Sequence, residues 1–195
     1  TSFTTGYEES FAYDNVYGKL QSKTEKINST DFVTSFTYNK YDDLLTTTYP
    51  SNVLVANEYD ANGYLINVKN GTTTLFTNQG MTAHNNYKTY QYGNGLITDV
   101  TYNQTIPTRF YARNSNASIK RQDLNLDWNY GTGNLNSRTD AIVNKTESFL
   151  YDIMNRLTSA QVGSNTALTM NYSTDGNMTL KSDAAGPGGL EYLHS

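Results

Sequence analysis

The sequence predicts an all-β fold in which consecutive antiparallel β-hairpins join edge to edge into one long sheet. Three observations carry this. Tyr, Thr and Asn outweigh the strong helix formers, with 17 Tyr in 195 residues, and these residues favour strands and turns. An aromatic residue is followed, six or seven positions later, by an aliphatic one, from one end of the chain to the other. Two positions before that aliphatic stands Gly, Asn or Asp, the residues that most readily adopt positive φ.

The most regular copy is the stretch from Phe149 to Gln161. Phe149 and Tyr151 lie two apart, so an extended strand projects both from one face and Leu150 and Asp152 from the other. Ile153, Met154 and Asn155 reverse the chain, and Arg156 to Ala160 resumes in extended form, so the unit is a β-hairpin.

In chain order, the first copy runs from Phe11 to Leu20 with one extra residue in its turn, and Thr24 closes its second strand. The second runs from Phe36 to Leu44, and its return strand ends at Pro50, which has no N–H to give to a ladder. The third, from Glu58 to Val68, is followed by an Asn70-Gly71 turn and a further strand from Thr72 to Phe76. Gly80 to Asn86 reads as a polar connection. A fourth copy, from Tyr90 to Tyr102, turns at Asn94-Gly95. Arg109 to Asp123 is the least regular part and is expected to hold an inserted or distorted hairpin, with a loop from Asn114 to Ser118. The fifth copy runs from Leu126 to Asp140, with Trp128 at the aromatic position, and the seventh from Met170 to Leu180.

Aligned on these hairpins, the anchors Tyr13, Tyr38, Tyr59, Tyr90, Trp128, Tyr151 and Tyr172 face Leu20, Leu44, Leu65, Leu96, Leu135, Leu157 and Met178. The turn residues are Gly18, Asp42, Gly63, Asn94, Gly133, Asn155 and Gly176. A period near 21 residues signifies an array, because a single hairpin cannot bury its ring face and must stack on its neighbours. Seven hairpins, about 14 strands at roughly 4.8 Å spacing, would make a ribbon on the order of 60 to 70 Å wide that twists and curls. Residues 1–183 form the array. Residues 184–195 read as a Gly/Pro linker and the start of a further strand, so the array is expected to continue beyond this segment.

Composition excludes several function classes. The net charge of -4 comes without a basic patch, which argues against nucleic acid as a ligand. No apolar run reaches the length of a membrane span, and Thr1 to Thr5 lacks the basic start and apolar core of a signal peptide. The chain has no cysteine, so it has neither disulfides nor thiolate chemistry.

Asp14, Asp60 and Asp152 could be read as a row of carboxylates for Ca²⁺ or acid–base work, but their repeated position after an anchor Tyr favours turn capping. Asp42-Asp43 reads as a solvated turn. The two histidines, His84 and His194, stand in a polar loop and at the chain end, and neither is placed beside an oriented Ser and acid. The sequons at Asn28, Asn70, Asn103, Asn116, Asn144, Asn171 and Asn177 are what an Asn- and Thr-rich chain yields by chance. No cofactor, metal or catalytic residue is expected. Tyr17, Tyr41, Tyr64 and Tyr111 could stack on sugar rings, although cross-strand aromatic pairing accounts for them without a ligand.

The run Tyr151-Asp152-Ile153-Met154-Asn155-Arg156-Leu157-Thr158-Ser159 resembles the YD repeat of the RHS family, as do Tyr13-Asp14, Tyr59 to Gly63 and Gly133 to Thr139. The resemblance extends from Phe11 to Lys181. Asp is replaced after Tyr38, Tyr90, Trp128 and Tyr172, and Arg156 is the only Arg at its motif position. The resemblance implies a spiralling sheet that forms part of an RHS-type shell, as in bacterial polymorphic toxins, insecticidal toxin complexes and teneurins. It implies a secreted or cell-surface bacterial protein whose partners are the remainder of the same polypeptide and an enclosed effector, with export machinery or surface glycans as further candidates. The Asp-Pro-x-Gly-Leu self-cleavage motif of toxin members is absent, since Gly186 precedes Pro187. A non-catalytic shell segment is the leading expectation, and a glycan- or partner-binding adhesion module is the alternative.

Overall fold

The structure, a computed structural model, describes residues 6–115 and 119–183. Among these residues there is no helix. Sixteen strands follow one another: β1 (Tyr7–Tyr13), β2 (Leu20–Ile27), β3 (Thr30–Tyr38), β4 (Leu44–Thr48), β5 (Leu54–Tyr59), β6 (Leu65–Asn70), β7 (Thr73–Met81), β8 (Tyr87–Tyr92), β9 (Leu96–Asn103), β10 (Ile106–Asn114), β11 (Lys120–Asn129), β12 (Asn134–Asp140), β13 (Lys145–Tyr151), β14 (Leu157–Val162), β15 (Leu168–Tyr172) and β16 (Met178–Lys181). They are hydrogen-bonded in chain order as an open antiparallel sheet. The chain divides into two compact units, Thr1–Met81 with Thr89–Ile97 and Thr82–Lys88 with Thr98–Ser195.

In the first unit, the turns after β1, β3 and β5 share one construction. The N–H of the first turn residue donates to the carbonyl of the last: Asp14 to Lys19 at 2.8 Å, Asn39 to Asp43 at 2.9 Å, and Asp60 to Tyr64 at 2.9 Å. Closing so tight a loop requires one left-handed residue, supplied by Gly18 (φ 66°), Asp42 (φ 75°) and Gly63 (φ 84°). A β-bulge just before each turn lets the aromatic meet the aliphatic, so Tyr13 pairs with Leu20, Tyr38 with Leu44 and Tyr59 with Leu65. On the alternate turns, Asn28 and Ser29 both take positive φ between Ile27 and Thr30, the requirement of a two-residue hairpin with right-handed twist. Between β6 and β7 the loop residues are Gly71 and Thr72, with Asn70 still in the ladder opposite Thr73, one residue later than the expected Asn70-Gly71.

The second unit repeats the construction. Thr82 donates to Asn86 at 2.9 Å, Asp152 to Arg156 at 3.0 Å and Ser173 to Asn177 at 2.8 Å. Trp128 pairs with Leu135, Tyr151 with Leu157 and Tyr172 with Met178, each beside a bulge. Burial is thin: among the described residues only Val100, Ala112 and Met170 form the buried apolar core, joined by Thr98 and Asp123.

Three expectations are corrected or narrowed. Gly80 to Asn86 is not a lapse in the pattern: Gly80 and Met81 belong to β7, and Thr82 to Asn86 is a hairpin turn with Asn85 at φ 64°. The sequence hides it because aliphatic Met81 and aromatic Tyr87 flank the turn in reverse order. Of the two alternatives for Arg109 to Asp123, the distorted hairpin is the one observed: β10 and β11 pair antiparallel with a register shift at Ala112/Arg113. These two regions raise the strand count from about fourteen to sixteen among the described residues. The third correction concerns Asn94: positive φ falls on Gly95 (φ 81°). The turn between β8 and β9 is closed by Gly95 donating to Tyr92 at 2.9 Å, so it is shorter than the turns of the other aromatic-to-aliphatic copies and its last strand residue is Tyr92.

Candidate functional site

The recurring chemistry lies along the turn end of the hairpins, where carboxylates, hydroxyls and one guanidinium hold the backbone. Asp14 accepts from the amides of Val16 (2.9 Å), Tyr17 (2.6 Å) and Lys19 (2.7 Å). Asp60 accepts from Asn62 and Tyr64, both at 2.9 Å. Asp152 accepts from Met154 and Arg156, both at 2.9 Å. These carboxylates satisfy amides that the turn leaves without ladder partners. The amide of Tyr17 foremost lowers the pKa of Asp14, and that of Arg156 lowers the pKa of Asp152, because each bond favours the charged form.

A second row of bonds runs from hairpin to hairpin. The hydroxyl of Tyr38 donates to the carbonyl of Leu20 at 3.0 Å, and that of Tyr59 to Leu44 at 2.9 Å. In the other unit, Tyr151 donates to Leu135 at 3.1 Å and Tyr172 to Leu157 at 2.8 Å. Each of these four tyrosines thus caps the carbonyl of the preceding repeat's aliphatic anchor. Where the repeat departs from its consensus the bond persists with another donor. The amide of Asn78 reaches Leu65 at 3.2 Å, Tyr102 reaches Tyr87 at 3.0 Å, and the indole N–H of Trp128 reaches Pro107 at 2.8 Å.

One register accompanies this ladder. The residue two after an aliphatic anchor pairs with the residue three before the next Tyr: Ser22 with Ser35, Thr46 with Ala56, Ser137 with Ser148, and Ser159 with Thr169. The hydroxyl bonds were not anticipated from the sequence, because their acceptors are backbone atoms one repeat earlier. A signal was nonetheless present: the anchors are Tyr and Trp, never Phe, so each carries a polar donor on its ring.

Side chains also join successive turns. Lys19 forms an ion pair with Asp42, and Asn134 donates to Asn155 at 2.9 Å. Arg156 bonds Asp152 at 2.7 Å and the Ser173 carbonyl at 3.2 Å, with its guanidinium 4.6 Å from the Tyr172 ring centroid. That stack is a cation–π contact and ties three consecutive features of two repeats.

Tyr90 lies apart from the other anchors, packed 5.8 Å from Phe76 and 5.6 Å from Tyr92. Of the four tyrosines considered for sugar stacking, Tyr17 and Tyr41 project from neighbouring turns at 78% and 72% exposure. Tyr64 and Tyr111 are half-buried, and the Tyr111 ring is already covered by Arg109 at 4.8 Å and Lys120 at 5.6 Å. Asp123, only 2% exposed, accepts from Arg109 (2.8 Å) and Lys120 (3.2 Å). Burial pushes its pKa up, and the bonds from Arg109 and Lys120 outweigh that and lower it. His84 sits on the exposed turn after β7, its amide bonded to the Thr82 hydroxyl at 3.2 Å. Among the described residues, no group of three or more acidic or histidine side chains is placed to hold a metal ion. His194, the Asn116 sequon and the reading of residues 184–195 as a linker and strand start lie outside the described residues.

No family model matches this chain, and no curated protein matches its sequence. Solved structures do match its fold. The Photorhabdus luminescens Tc holotoxin pore superposes with a TM-score of 0.72 at 17% identity, over 91% of this chain and 11% of that one. TcdB2-TccC3 without its hypervariable C-terminal region gives 0.74 at 16% identity, over 91% and 11%. The complex TcdB2-TccC3-Cdc42 gives 0.73 at 15% identity, over 95% and 12%. The chain therefore spans about a ninth of the length of these Tc toxin chains, whose all-β RHS-type sheet is the fold it shares.

Proposed function

We propose that this chain is a non-catalytic wall segment of an RHS-type shell in a large exported bacterial protein, where it encloses or displays another part of the same polypeptide. The hydroxyl ladder is the observation that carries this reading. A wall must hold many thin hairpins in one register without a deep core, and side-chain caps on backbone carbonyls at successive junctions do that. On this reading Tyr13, Tyr38, Tyr59, Trp128, Tyr151 and Tyr172, with Leu20, Leu44, Leu65, Leu135, Leu157 and Met178, are packing anchors. Tyr90 and Leu96 serve the same end within a shorter hairpin. Gly18, Asp42, Gly63, Gly133, Asn155 and Gly176 are turn residues, and Asp14, Asp60 and Asp152 are caps. The partners are the rest of the polypeptide and an enclosed effector, and the fold likeness to Tc toxin chains supports this.

The test is protease protection in the full-length polypeptide. A segment outside the repeats should resist digestion until the sheet is unfolded. Digestion at the rate of the same segment expressed alone would sink the enclosing role.

A second reading, adhesion to glycans, draws on Tyr17 and Tyr41, which present exposed rings on neighbouring turns with Lys19 and Lys40 beside them. Saturable binding to a glycan array, competed by free sugar and lost in a Tyr17→Ala/Tyr41→Ala variant, would favour it over a purely enclosing wall.

A further inference from the structure

Asn-Gly occurs three times in the chain, at Asn62-Gly63, Asn70-Gly71 and Asn94-Gly95, and the fold treats the three differently. Asparagine before glycine can lose its side-chain amide without an enzyme, because the next backbone nitrogen can reach the side-chain carbonyl carbon and glycine has no Cβ to obstruct it. The attack needs that nitrogen released from hydrogen bonding and the carboxamide free to turn. At Asn62 the Gly63 amide donates to the Asp60 carbonyl at 3.1 Å, and the Asn62 amide donates to the Asp60 carboxylate at 2.9 Å. At Asn94 the Gly95 amide donates to Tyr92 at 2.9 Å, and the side-chain oxygen accepts from the Leu96 amide at 3.1 Å.

Asn70 has neither restraint. It is the last ladder residue before the two-residue loop, opposite Thr73, so the Gly71 amide lies outside the ladder. Among the described residues neither that amide nor the Asn70 carboxamide has a hydrogen-bond partner. Asn70, Gly71 and Thr72 are all exposed. The register shift at Val68/Lys69 interrupts the ladder just before them, so this end of the hairpin opens locally without disturbing the rest of the sheet.

We propose that Asn70 is a site of self-modification, at which the chain acquires aspartate or isoaspartate as it ages. The Gly71 nitrogen bonds to Cγ of Asn70, the Cγ–Nδ2 bond breaks, and ammonia leaves with the proton that the Gly71 nitrogen gave up. Water then opens the cyclic imide. Opening at Cγ leaves aspartate; opening at the main-chain carbonyl leaves isoaspartate, whose main chain runs through the side-chain methylene. Either product places a negative charge at the turn. Isoaspartate also lengthens the main chain at a loop that the Asn70–Thr73 pair closes, so it loosens the end of β6 and β7. The inference does not depend on the enclosing role proposed above.

Mass spectrometry of the folded full-length chain, aged at mildly alkaline pH and then digested with trypsin, tests this. Cleavage after Lys40, Lys69, Lys88 and Arg109 puts the three Asn-Gly pairs in separate peptides. The peptide that begins at Asn70 should show deamidation first, roughly tenfold faster than the other two, whose hydrogen bonds must break before attack. In urea sufficient to unfold the chain, the three rates should converge. Chains carrying isoaspartate should exchange amides in β6 and β7 faster than an Asn70→Ser chain aged alongside. Three results would overturn the proposal: no lead for Asn70 in the folded chain, a lead unchanged by urea, or amide exchange in β6 and β7 that the modification leaves as it was.

Discussion

The repeat Tyr is defined by its hydroxyl as much as by its ring. Tyr151 packs opposite Leu157 and donates to the Leu135 carbonyl at 3.1 Å, so Tyr151→Phe keeps the packing and loses one hydrogen bond. Net, such a bond contributes about 0.5–1.5 kcal/mol, and the midpoint of urea unfolding should fall accordingly. Tyr13→Phe, whose hydroxyl has no partner among the described residues, should leave the midpoint of the dilute protein unchanged. Equal losses at both positions would show that the ring, not the ladder, carries the effect. Asp123 stands apart as a nearly buried charge held by Arg109 and Lys120. Asp123→Asn should cost about 1.5–3 kcal/mol, as expected for losing hydrogen bonds to a charged group, measured by the same unfolding assay.

Among the turns, the limiting requirement is backbone conformation. Asn155 sits at φ 60°, where a side chain other than Asn or Asp costs roughly 1–2 kcal/mol. Asn155→Ala should therefore destabilise the chain by about that amount, while Asn155→Gly should be close to neutral. Gly93 is constrained differently. A Cβ placed there would stand 2.5 Å from the Thr74 carbonyl oxygen, while its amide donates to Leu75 at 2.8 Å. Gly93→Ala must push two strands apart, at about 1–3 kcal/mol, and amide exchange should quicken in β7 and β8 before the rest of their unit. The hairpins were legible at this scale wherever aromatic precedes aliphatic, because a period of two and a positive-φ residue are both written in the chain. The β7–β8 turn was not, because Met81 and Tyr87 exchange the two roles. Asn94 misled for a related reason: Asn and Gly both tolerate positive φ, and only the three-residue length of that loop assigns it to Gly95.

For the chain as a whole, stability depends on charged side chains used as turn and ladder partners. Asp14, Asp123 and Asp152, with Glu9 and Glu58, all have pKa values lowered by folding. A carboxylate whose pKa is lowered adds stability above its unfolded pKa, near 4 for Asp and Glu, and loses it as pH falls through the folded value. The urea midpoint should thus be flat from about pH 6 to 8 and decline below about pH 4. A decline that begins near neutral pH would overturn this carboxylate account. What the sequence determined alone is the all-β class, the hairpin unit and the positive-φ turn residue of six of its seven copies, since strand period and left-handed φ are local properties of the residues. Only the tertiary structure decided the sixteen strands of the described residues, the common junction register and the bonds that join Tyr38, Tyr59, Tyr151 and Tyr172 to the repeat before. Those depend on which backbone carbonyl lies beside a hydroxyl 15 to 18 residues away, and strand pairing, not local preference, sets that distance.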